Sequence, residues 1–300
     1  AIGGYDPEEY ESPLDALMAQ RQVYRKMMKH ISNFAFTATP KDKTFALYGK
    51  DGKEAHDLYS MKQAIDEKFI LDVTQNYVSY KTMFELIAKD PTKDANEQFE
   101  KKKALKVIAT KLGQDKYIKL RKASMMVDQF MKFTINKINH QAKAMVVCVS
   151  RQAAADYQQI IDRIILDEYN GSIKTLVAFS GEVTDSNGRK CTEANLNDGG
   201  VTDNAIAEKF KDNDYKFLIV AEKFQTGFDQ KLLHTMFVDR SLGGIQCIQT
   251  LSRLNRTYWP YKEDTLVVDF RNDADSVKKA FNQYYTVTSL TGSVDTQRVY

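Results

Sequence analysis

Six short apolar runs constrain the fold of this chain more than any other feature of its sequence. They are rich in Val, Ile, Phe and Leu and contain no charged residue, which is typical of strands that are buried on both faces of a sheet. The runs comprise residues 34–36, 144–149, 175–179, 217–221, 236–238 and 266–268. Such strands need helices above and below them, and the segments between the runs supply candidates.

The clearest predicted helix lies between the second and third runs. Residues 152–169 place Ile and Ala at helical spacing, and Gly171 follows, as is common where helices stop. Residues 202–210 and 245–256 predict two further helices. Strands that alternate with helices indicate a parallel sheet covered on both faces. We therefore predict an α/β domain over residues 141–272.

The flanking segments are predicted to be mainly helical. Residues 53–140 are rich in Lys and Ala and have the composition of a helical connector. Residues 273–300 have the pattern of the start of a C-terminal helical region. Residues 1–52 contain a predicted helix and the run at 34–36, and this pair has no sheet of its own to join.

Composition excludes several classes of protein. With 300 residues and 43% hydrophobic content the chain can bury a sizeable core. No apolar run approaches the roughly 18 residues that span a bilayer, and the acidic start is unlike a signal peptide. We therefore expect a cytoplasmic protein without a membrane partner. Its three cysteines and four histidines lack metal-ligand spacing, so no metal site is predicted.

Positive charge is concentrated in one segment. Residues 101–122 hold eight Lys and one Arg against a single acidic residue, Asp115. Such a stripe could attract phosphate groups. It is also typical of the solvated face of a helix, because apolar residues recur beneath it at helical spacing. The sequence leaves both interpretations open.

The most specific motif consists of Gln249, Arg253 and Arg256. On a helix over residues 245–256 they would fall at i, i+4 and i+7 and share one face. Two guanidinium groups aimed the same way suggest a phosphate site. Taken alone, so short a motif is also compatible with a solvated helix that happens to carry arginines.

Polar residues follow three of the predicted strands. They are Ser150 and Arg151, Ser180 and Gly181, and Thr226, Gly227 and Asp229. The carboxyl ends of parallel strands are where α/β sheets place ligand loops. Free N–H groups at helix starts can hold phosphates, and glycine lets the backbone approach them closely. Plain turns and helix caps are the alternative interpretation of each.

A third segment, Thr37-Ala38-Thr39-Pro40, follows the first apolar run. In this order, the segments at 37–40, 226–229 and 249–256 resemble the later half of a nucleic-acid-dependent NTPase motor of helicase superfamily 2. The sequence from Thr226 through Phe270, including Leu232-Leu233-His234-Thr235 and Val267-Val268-Asp269-Phe270, resembles more specifically the restriction (R) subunit of type I restriction-modification enzymes. That subunit is an ATP-driven DNA translocase and nuclease.

The resemblance implies a RecA-like fold and a place within a motor. Residues 141–272 would be the second RecA-like motor domain, and residues 1–52 the C-terminal remnant of the first. ATP and Mg²⁺ would be held by the first domain of the parent enzyme. Arg253 and Arg256, led by Gln249, would act as arginine fingers, which stabilise the charge that spreads over the γ-phosphate during hydrolysis.

It also implies roles for the loops and for partners. Gly227 and Asp229 would lie near the nucleotide, and Thr37 and Thr39 would couple nucleotide state to the grip on DNA. The residues that would touch the DNA backbone are Ser150, Arg151, Ser180, Gly181 and Thr226. The implied partners are double-stranded DNA and the modification and specificity subunits. For Thr39, a plain Thr-Pro turn is the alternative.

The chain by itself is expected to be inactive. It contains no G-x-x-x-x-G-K-[ST] phosphate-binding loop, and its one match to a nuclease E-x-K pattern, at Glu100, lacks a Pro-Asp partner. We therefore expect no ATP or Mg²⁺ to bind to the isolated chain, although the parent would be an ATP-dependent type I deoxyribonuclease. The alternative function is a nucleic-acid-binding or assembly module of another superfamily 2 helicase-like protein.

Overall fold

The structure, a computed structural model, describes residues 32, 34–37, 39–40, 42–89, 114–224 and 228–285. The chain divides into two compact units. The first comprises Ala1–Gln63 with Asn282–Tyr300, and the second comprises Ala64–Phe281.

In the first unit, helix α1 covers Asp42–Tyr48 and buries Phe45 and Leu47. The strand predicted at residues 34–36 does not form: this segment has no regular secondary structure, and Phe34 and Phe36 are 80% and 95% exposed. Within the described residues of this unit no strand lies beside it to complete a backbone ladder. The apolar run alone was therefore not sufficient to make a strand.

The second unit contains a six-stranded, wholly parallel sheet in the order β1-β8-β7-β2-β6-β3. Its strands are β1 (Tyr77–Ser79), β2 (Lys143–Cys148), β3 (Lys174–Ala178), β6 (Tyr215–Val220), β7 (Leu233–Asp239) and β8 (Leu266–Asp269), and a separate hairpin consists of β4 (Val183–Thr184) and β5 (Lys190–Cys191). The five strands predicted from the apolar runs in this unit are confirmed. Their central strands are buried at every residue, as expected when helices cover both faces.

Helices flank the sheet. After α1 they are α2 (Met61–Asp66), α3 (Lys81–Lys89), α4 (Gln114–Gln129), α5 (Lys137–His140), α6 (Arg151–Tyr169), α7 (Glu193–Leu196), α8 (Asn204–Lys209), α9 (Gly244–Leu251) and α10 (Ala274–Tyr285). A π-helical turn, Phe130–Thr134, continues α4, and a 3-10 turn covers Asp198–Gly200. The predicted class, an α/β fold with a parallel sheet flanked by helices, is confirmed.

Strand β1 was not predicted. It lies within the residues expected to form a helical connector and pairs in parallel with β8, Tyr77 opposite Val267 and Ser79 opposite Asp269. The Tyr77 hydroxyl donates to Asp269 Oδ2 at 2.7 Å, which ties the strand to its neighbour. Burial and the Asp269 carboxylate raise the pKa of Tyr77 well above its usual value, so this hydroxyl stays protonated.

A buried charge cluster ties α4 to the sheet. Asp239, at the end of β7, accepts hydrogen bonds from Lys122 Nζ at 2.7 Å, Tyr157 Oη at 2.5 Å and Arg271 Nε at 2.8 Å. The side chains of Lys122 and Asp239 are only 6% and 5% exposed. Burial alone would raise the pKa of Asp239, but the Lys122 ammonium and these hydrogen bonds lower it below its usual value.

Contacts of this kind also show what two lysines of the basic stripe, residues 101–122, bind. Lys122 is buried against Asp239, and Lys119 Nζ lies 2.9 Å from both Asp115 and Asp156. These two lysines are thus engaged with carboxylates of the fold. Residues 101–113 lie outside the described residues.

Among the helices that the structure describes, none is long and apolar enough to cross a membrane.

The three thiols are buried. Cys148, Cys191 and Cys247 are all free. Burial raises the pKa of each, that of Cys247 to about 12, so they are poor nucleophiles.

Candidate functional site

The predicted DNA-facing residues that the structure describes lie together at one edge of the sheet. Ser150 is the N-cap of α6, and its hydroxyl accepts the Ala153 N–H at 3.1 Å. Arg151 Nη1 donates to the Ser180 carbonyl oxygen at 2.8 Å. Gly181 has φ +74°, and a Cβ there would come within 3.3 Å of Arg151 Nη1. The loops after β2 and β3 are thus joined by one arginine.

These loops are held at the carboxyl edge by the sheet order. Strands β2 and β3 lie on either side of β6, so their carboxyl ends present Ser150, Arg151, Ser180 and Gly181 side by side. All four residues are exposed. Thr226 and Gly227, predicted to join them after β6, lie outside the described residues.

A second group forms around Asp229. Arg256 Nε lies 3.2 Å from Asp229 Oδ1, and Arg253 Nη1 donates to the Phe228 carbonyl oxygen at 3.0 Å. Burial and the neighbouring Arg256 charge lower the pKa of Arg253, against the opposing effect of Asp229. Two positive charges close enough to repel each other form a favourable environment for an anion.

The predicted helix over residues 245–256 was wrong in its extent. Helix α9 ends at Leu251, so Gln249 is helical but Arg253 and Arg256 follow the helix end and do not continue its face. The Arg253 N–H bonds to Thr250 O at 3.2 Å and the Leu254 N–H to Leu251 O at 3.0 Å, which tightens the last turn. Arg256 then pairs with Ile70 in an isolated antiparallel bridge.

A buried lysine holds the segment that follows the helix end. Lys262 is 3% exposed, and its Nζ donates to the carbonyl oxygens of Leu254 at 2.7 Å and Arg256 at 2.8 Å. The Asn255 carbonyl accepts the Leu71 N–H at 2.8 Å. These carbonyls therefore have partners outside the helix. Burial lowers the pKa of Lys262 to about 7.

We expect Lys262→Met to lower the free energy of unfolding by about 1–3 kcal/mol, because it leaves the buried carbonyl of Leu254 and the partly buried carbonyl of Arg256 without this donor. Urea denaturation would measure the change. Lys279→Met, at an exposed position on α10, is the matched control and should stay within about 0.5 kcal/mol of wild type. Equal stability of the two variants would contradict a tethering role for Lys262.

Asp229 was expected at the carboxyl edge of the sheet, but it does not lie there. It lines a cavity of about 330 Å³ with Gln141, Lys211, Leu232 and Tyr258, residues that include those just before β2 and β7. Because β6 and β7 are parallel, the chain must return from the carboxyl end of one to the amino end of the other. Asp229 comes late in this return. The predicted site is therefore divided between two edges of the sheet.

The coupling residues lie in the first unit. The Thr39 N–H donates to Thr37 Oγ1 at 3.1 Å, a local turn bond, and Thr37 is exposed. This bond is local to Thr37 and Thr39, and the coupling role of both residues stays a prediction.

Sequence reasoning missed a second cavity, of about 410 Å³, at the amino edge near β1, β7 and β8. Its polar wall contains His234, whose Nε2 lies 3.0 Å from Asp264 Oδ1, and Lys137, whose Nζ donates to Asp264 Oδ2 at 2.8 Å. Burial would raise the pKa of Asp264, but these two partners lower it on balance. The three residues are far apart in sequence, so spacing carried no signal.

No metal centre is evident in the described ranges. They contain no group of three or more His, Cys, Asp or Glu residues arranged to hold a metal ion. The arginine pair beside Asp229 suits phosphate oxygens, whereas the carboxylates needed to hold Mg²⁺ are not gathered there. Among the described residues, the arginine pair is thus suited to phosphate oxygens, and no cluster of carboxylates accompanies it.

Comparison with known families bears on the identity of this domain. A family model described as type I restriction enzyme subunit R domain 3 matches residues 119–272, just over half of the chain. The chain belongs to this family. The matched range covers β2 to β8 together with Arg253 and Arg256, and the resemblance to the R subunit is confirmed.

Curated relatives of the family agree. The chain is 27% identical over 267 residues to a protein of Methanocaldococcus jannaschii that bears the name of the type I restriction enzyme MjaVIIP endonuclease subunit, covering 79% of this chain and 25% of that protein. It is 27% identical over 283 residues to the HindI endonuclease subunit of Haemophilus influenzae, covering 88% and 25%. The chain thus spans about a quarter of the length of these relatives.

A solved structure of this family also aligns. It is a fragment of an HsdR subunit of a type I restriction enzyme from Vibrio vulnificus, with a TM-score of 0.49 and 15% identity, covering 85% of this chain and 41% of that one.

Proposed function

We propose that this chain is part of the ATP-dependent DNA translocase and endonuclease subunit of a type I restriction enzyme, in which residues 141–272 form the second RecA-like motor domain and supply the arginine fingers. The observation that carries the proposal is the convergence of Arg253 and Arg256 on the Phe228-Asp229 segment. Both guanidiniums approach one point although their helix ends before them.

In this role the two arginines act electrostatically. The first motor domain of the parent enzyme would hold ATP, which supplies the phosphoryl group to be transferred, and Mg²⁺, which offsets the charge of the phosphates. Arg256 is exposed, and its Nε lies 3.2 Å from the Oδ1 of Asp229, which is also exposed. Because exposed ion pairs contribute little free energy, Arg256 can exchange this carboxylate for phosphate oxygens. Arg253, anchored on the Phe228 carbonyl, keeps its orientation meanwhile. Planar multi-donor groups suit developing charge on a γ-phosphate.

The remaining assignments extend the same proposal. In the parent enzyme, Gly227 and Asp229 would lie near the nucleotide, Gln249 would lead the arginine motif, and Thr37 and Thr39 would relay nucleotide state. Double-stranded DNA and the modification and specificity subunits are the partners, in the cytoplasm. The isolated chain binds no ATP or Mg²⁺ and does not hydrolyse ATP, because its sequence has no phosphate-binding loop.

One observation favours the second candidate, a nucleic-acid-binding or assembly module without a catalytic role. Arg256 pairs with Asp229 and Arg253 with a backbone carbonyl, and these contacts would also suit purely structural arginines. The two candidates differ in what happens to ATP hydrolysis when the arginines are removed.

We expect DNA binding by the chain to be weak, indifferent to sequence and steeply dependent on salt, because Ser150, Arg151, Ser180, Gly181 and Thr226 would contact the backbone alone. Arg151→Ala should weaken binding and reduce the slope of log affinity against log salt by roughly 0.9. Fluorescence anisotropy at several salt concentrations measures both.

Arg163→Ala is the control for Arg151→Ala. Arg163 lies on the same helix, is 72% exposed and pairs with Asp167, so its loss removes the same charge from a different part of α6. Binding that is unchanged from low to high salt, or equal loss in the two variants, would count against the DNA-tracking surface.

A further inference from the structure

The connection between β6 and β7 crosses the sheet from one edge to the other. It leaves β6 at Val220, on the carboxyl edge with Ser180, and reaches Asp229 on the way to the start of β7. Residues 225–227, at its centre, lie outside the described residues. Both ends of this connection are fastened by side chains from elsewhere in the fold.

At the carboxyl edge, the Lys223 side chain holds the connection in place. Its Nζ donates to Glu193 Oε1 at 2.8 Å and Oε2 at 3.0 Å, and to Asp203 Oδ1 at 2.5 Å. At the far end the fastenings are the Arg253 and Arg256 contacts already described. Side-chain contacts therefore hold both described ends of this connection, Lys223 at the carboxyl edge and Phe228-Asp229 beside the arginine pair.

Glu193 is the centre of the carboxyl-edge fastening. It is the first residue of α7, 6% exposed, and besides Lys223 it accepts the Phe179 N–H at 2.8 Å and the Asp203 N–H at 3.1 Å. Phe179 directly precedes Ser180 and Gly181. The carboxylate thus joins the loop after β3 to the loop after β6, and each of its oxygens is shared between an ammonium and a backbone N–H.

The backbone on either side of Lys223 has a disfavoured conformation. Glu222 and Phe224, on either side, have φ of 63° and 58°, values that residues with a side chain adopt rarely and keep only when the surroundings hold them. The centroid of the Phe224 ring lies 5.0 Å from that of the Phe228 ring, so Phe224 contacts the residue whose carbonyl binds Arg253.

We propose that Glu193, through Lys223, is a positioning residue that transmits DNA contact at the Ser180 loop to the Arg253 and Arg256 pair. The inference rests on the proposed motor function. A shift of the Ser180 loop moves Phe179, and with it the carboxylate that holds Lys223. Phe224, next to Lys223, then shifts Phe228 through their ring contact. The Phe228 carbonyl binds Arg253, and the adjacent Asp229 carboxylate binds Arg256.

The test measures ATP hydrolysis by the complete R subunit, assembled with its partners, with and without duplex DNA. Glu193→Gln keeps the shape but removes the charge that holds Lys223, and Lys223→Met leaves the Glu193 bonds to Phe179 and Asp203 in place. Each variant should lower the ratio of DNA-stimulated to DNA-free hydrolysis by about 2- to 30-fold, the range found for residues that carry coupling. DNA affinity, measured by anisotropy, should change much less.

Asp167→Asn is the matched control, an exposed carboxylate paired with Arg163 on α6, and its ratio should equal that of wild type. If both variants keep the wild-type ratio while melting normally, the inference is wrong. Should Glu193→Gln fail to fold, Lys223→Met alone decides. If the wild-type enzyme shows no DNA-stimulated hydrolysis, the proposed function itself fails, which is a separate result.

Discussion

Replacing Arg253 or Arg256 by Ala in the complete R subunit is expected to lower DNA-stimulated ATP hydrolysis on the order of a thousandfold or more, which is the contribution of arginine fingers in related phosphoryl transfers. The reason lies in the charge. As the γ-phosphate bond breaks, charge spreads over its oxygens, and a preorganised guanidinium meets that charge without rearrangement. Phosphate release in the presence of duplex DNA measures the rate, with the isolated chain as the blank.

Lysine at either position should restore little, because a compact ammonium lacks the planar fork that meets two oxygens together. Arg163→Ala, on an exposed helix face, is the control and should hydrolyse ATP normally. DNA loading by the Arg253 and Arg256 variants should survive, since neither residue lies on the carboxyl edge. A double alanine variant that hydrolyses ATP and translocates at the normal rate would establish the structural interpretation of the arginines.

The second large effect concerns stability. Asp239→Ala is expected to lower the free energy of unfolding by about 3–5 kcal/mol, the usual result of leaving a buried charge without its partner. The stranded group would be Lys122, whose side chain is 6% exposed. Tyr157 would also lose its acceptor, and it is fully buried. Urea denaturation provides the measurement.

Asp167→Ala, which removes an exposed carboxylate paired with Arg163, should cost no more than about 1 kcal/mol. The Asp239 contribution also has a defined pH dependence. Its pKa is lower in the folded chain than in the unfolded one, so the stabilisation is present above the unfolded value, about 3.9, and is lost as the pH falls through the folded value. A stability difference that stays constant to the lowest pH would contradict the assignment to Asp239.

Much of the sheet could be predicted because its strands are buried on both faces. In β2, β6 and β7 every residue is buried, so burial left an uninterrupted apolar run that needs no partner to be recognised. Helix α6 was predictable for a related reason, since its apolar positions and its end at Asn170-Gly171 are local features. Sequence patterns contained within about twenty residues were therefore sufficient to predict these elements.

The predictions were wrong for elements whose structure depends on residues distant in sequence. Strand β1 has three residues, two of them exposed, and exists because β8 pairs with it. The run at 34–36 is more apolar than β1 but has no such neighbour among the described residues. The spacing of Gln249, Arg253 and Arg256 is helical, yet the helix ends at Leu251. Lys262 and Leu71, which lie outside the motif and its helix, bind the carbonyls of the segment that follows. Asp229 was misplaced because its position depends on the direction of the next strand.

The position of β1 bears on how this polypeptide can be divided. A piece beginning at residue 141, where the α/β pattern starts, would lack Tyr77–Ser79 and leave β8 as an open outer strand. Unprotected strands of apolar sequence recruit other molecules edge to edge and aggregate. Such a piece would also lack the cation buried against Asp239. The smallest self-sufficient part of this chain therefore begins before Tyr77, well outside the limits that its pattern of strands and helices suggests.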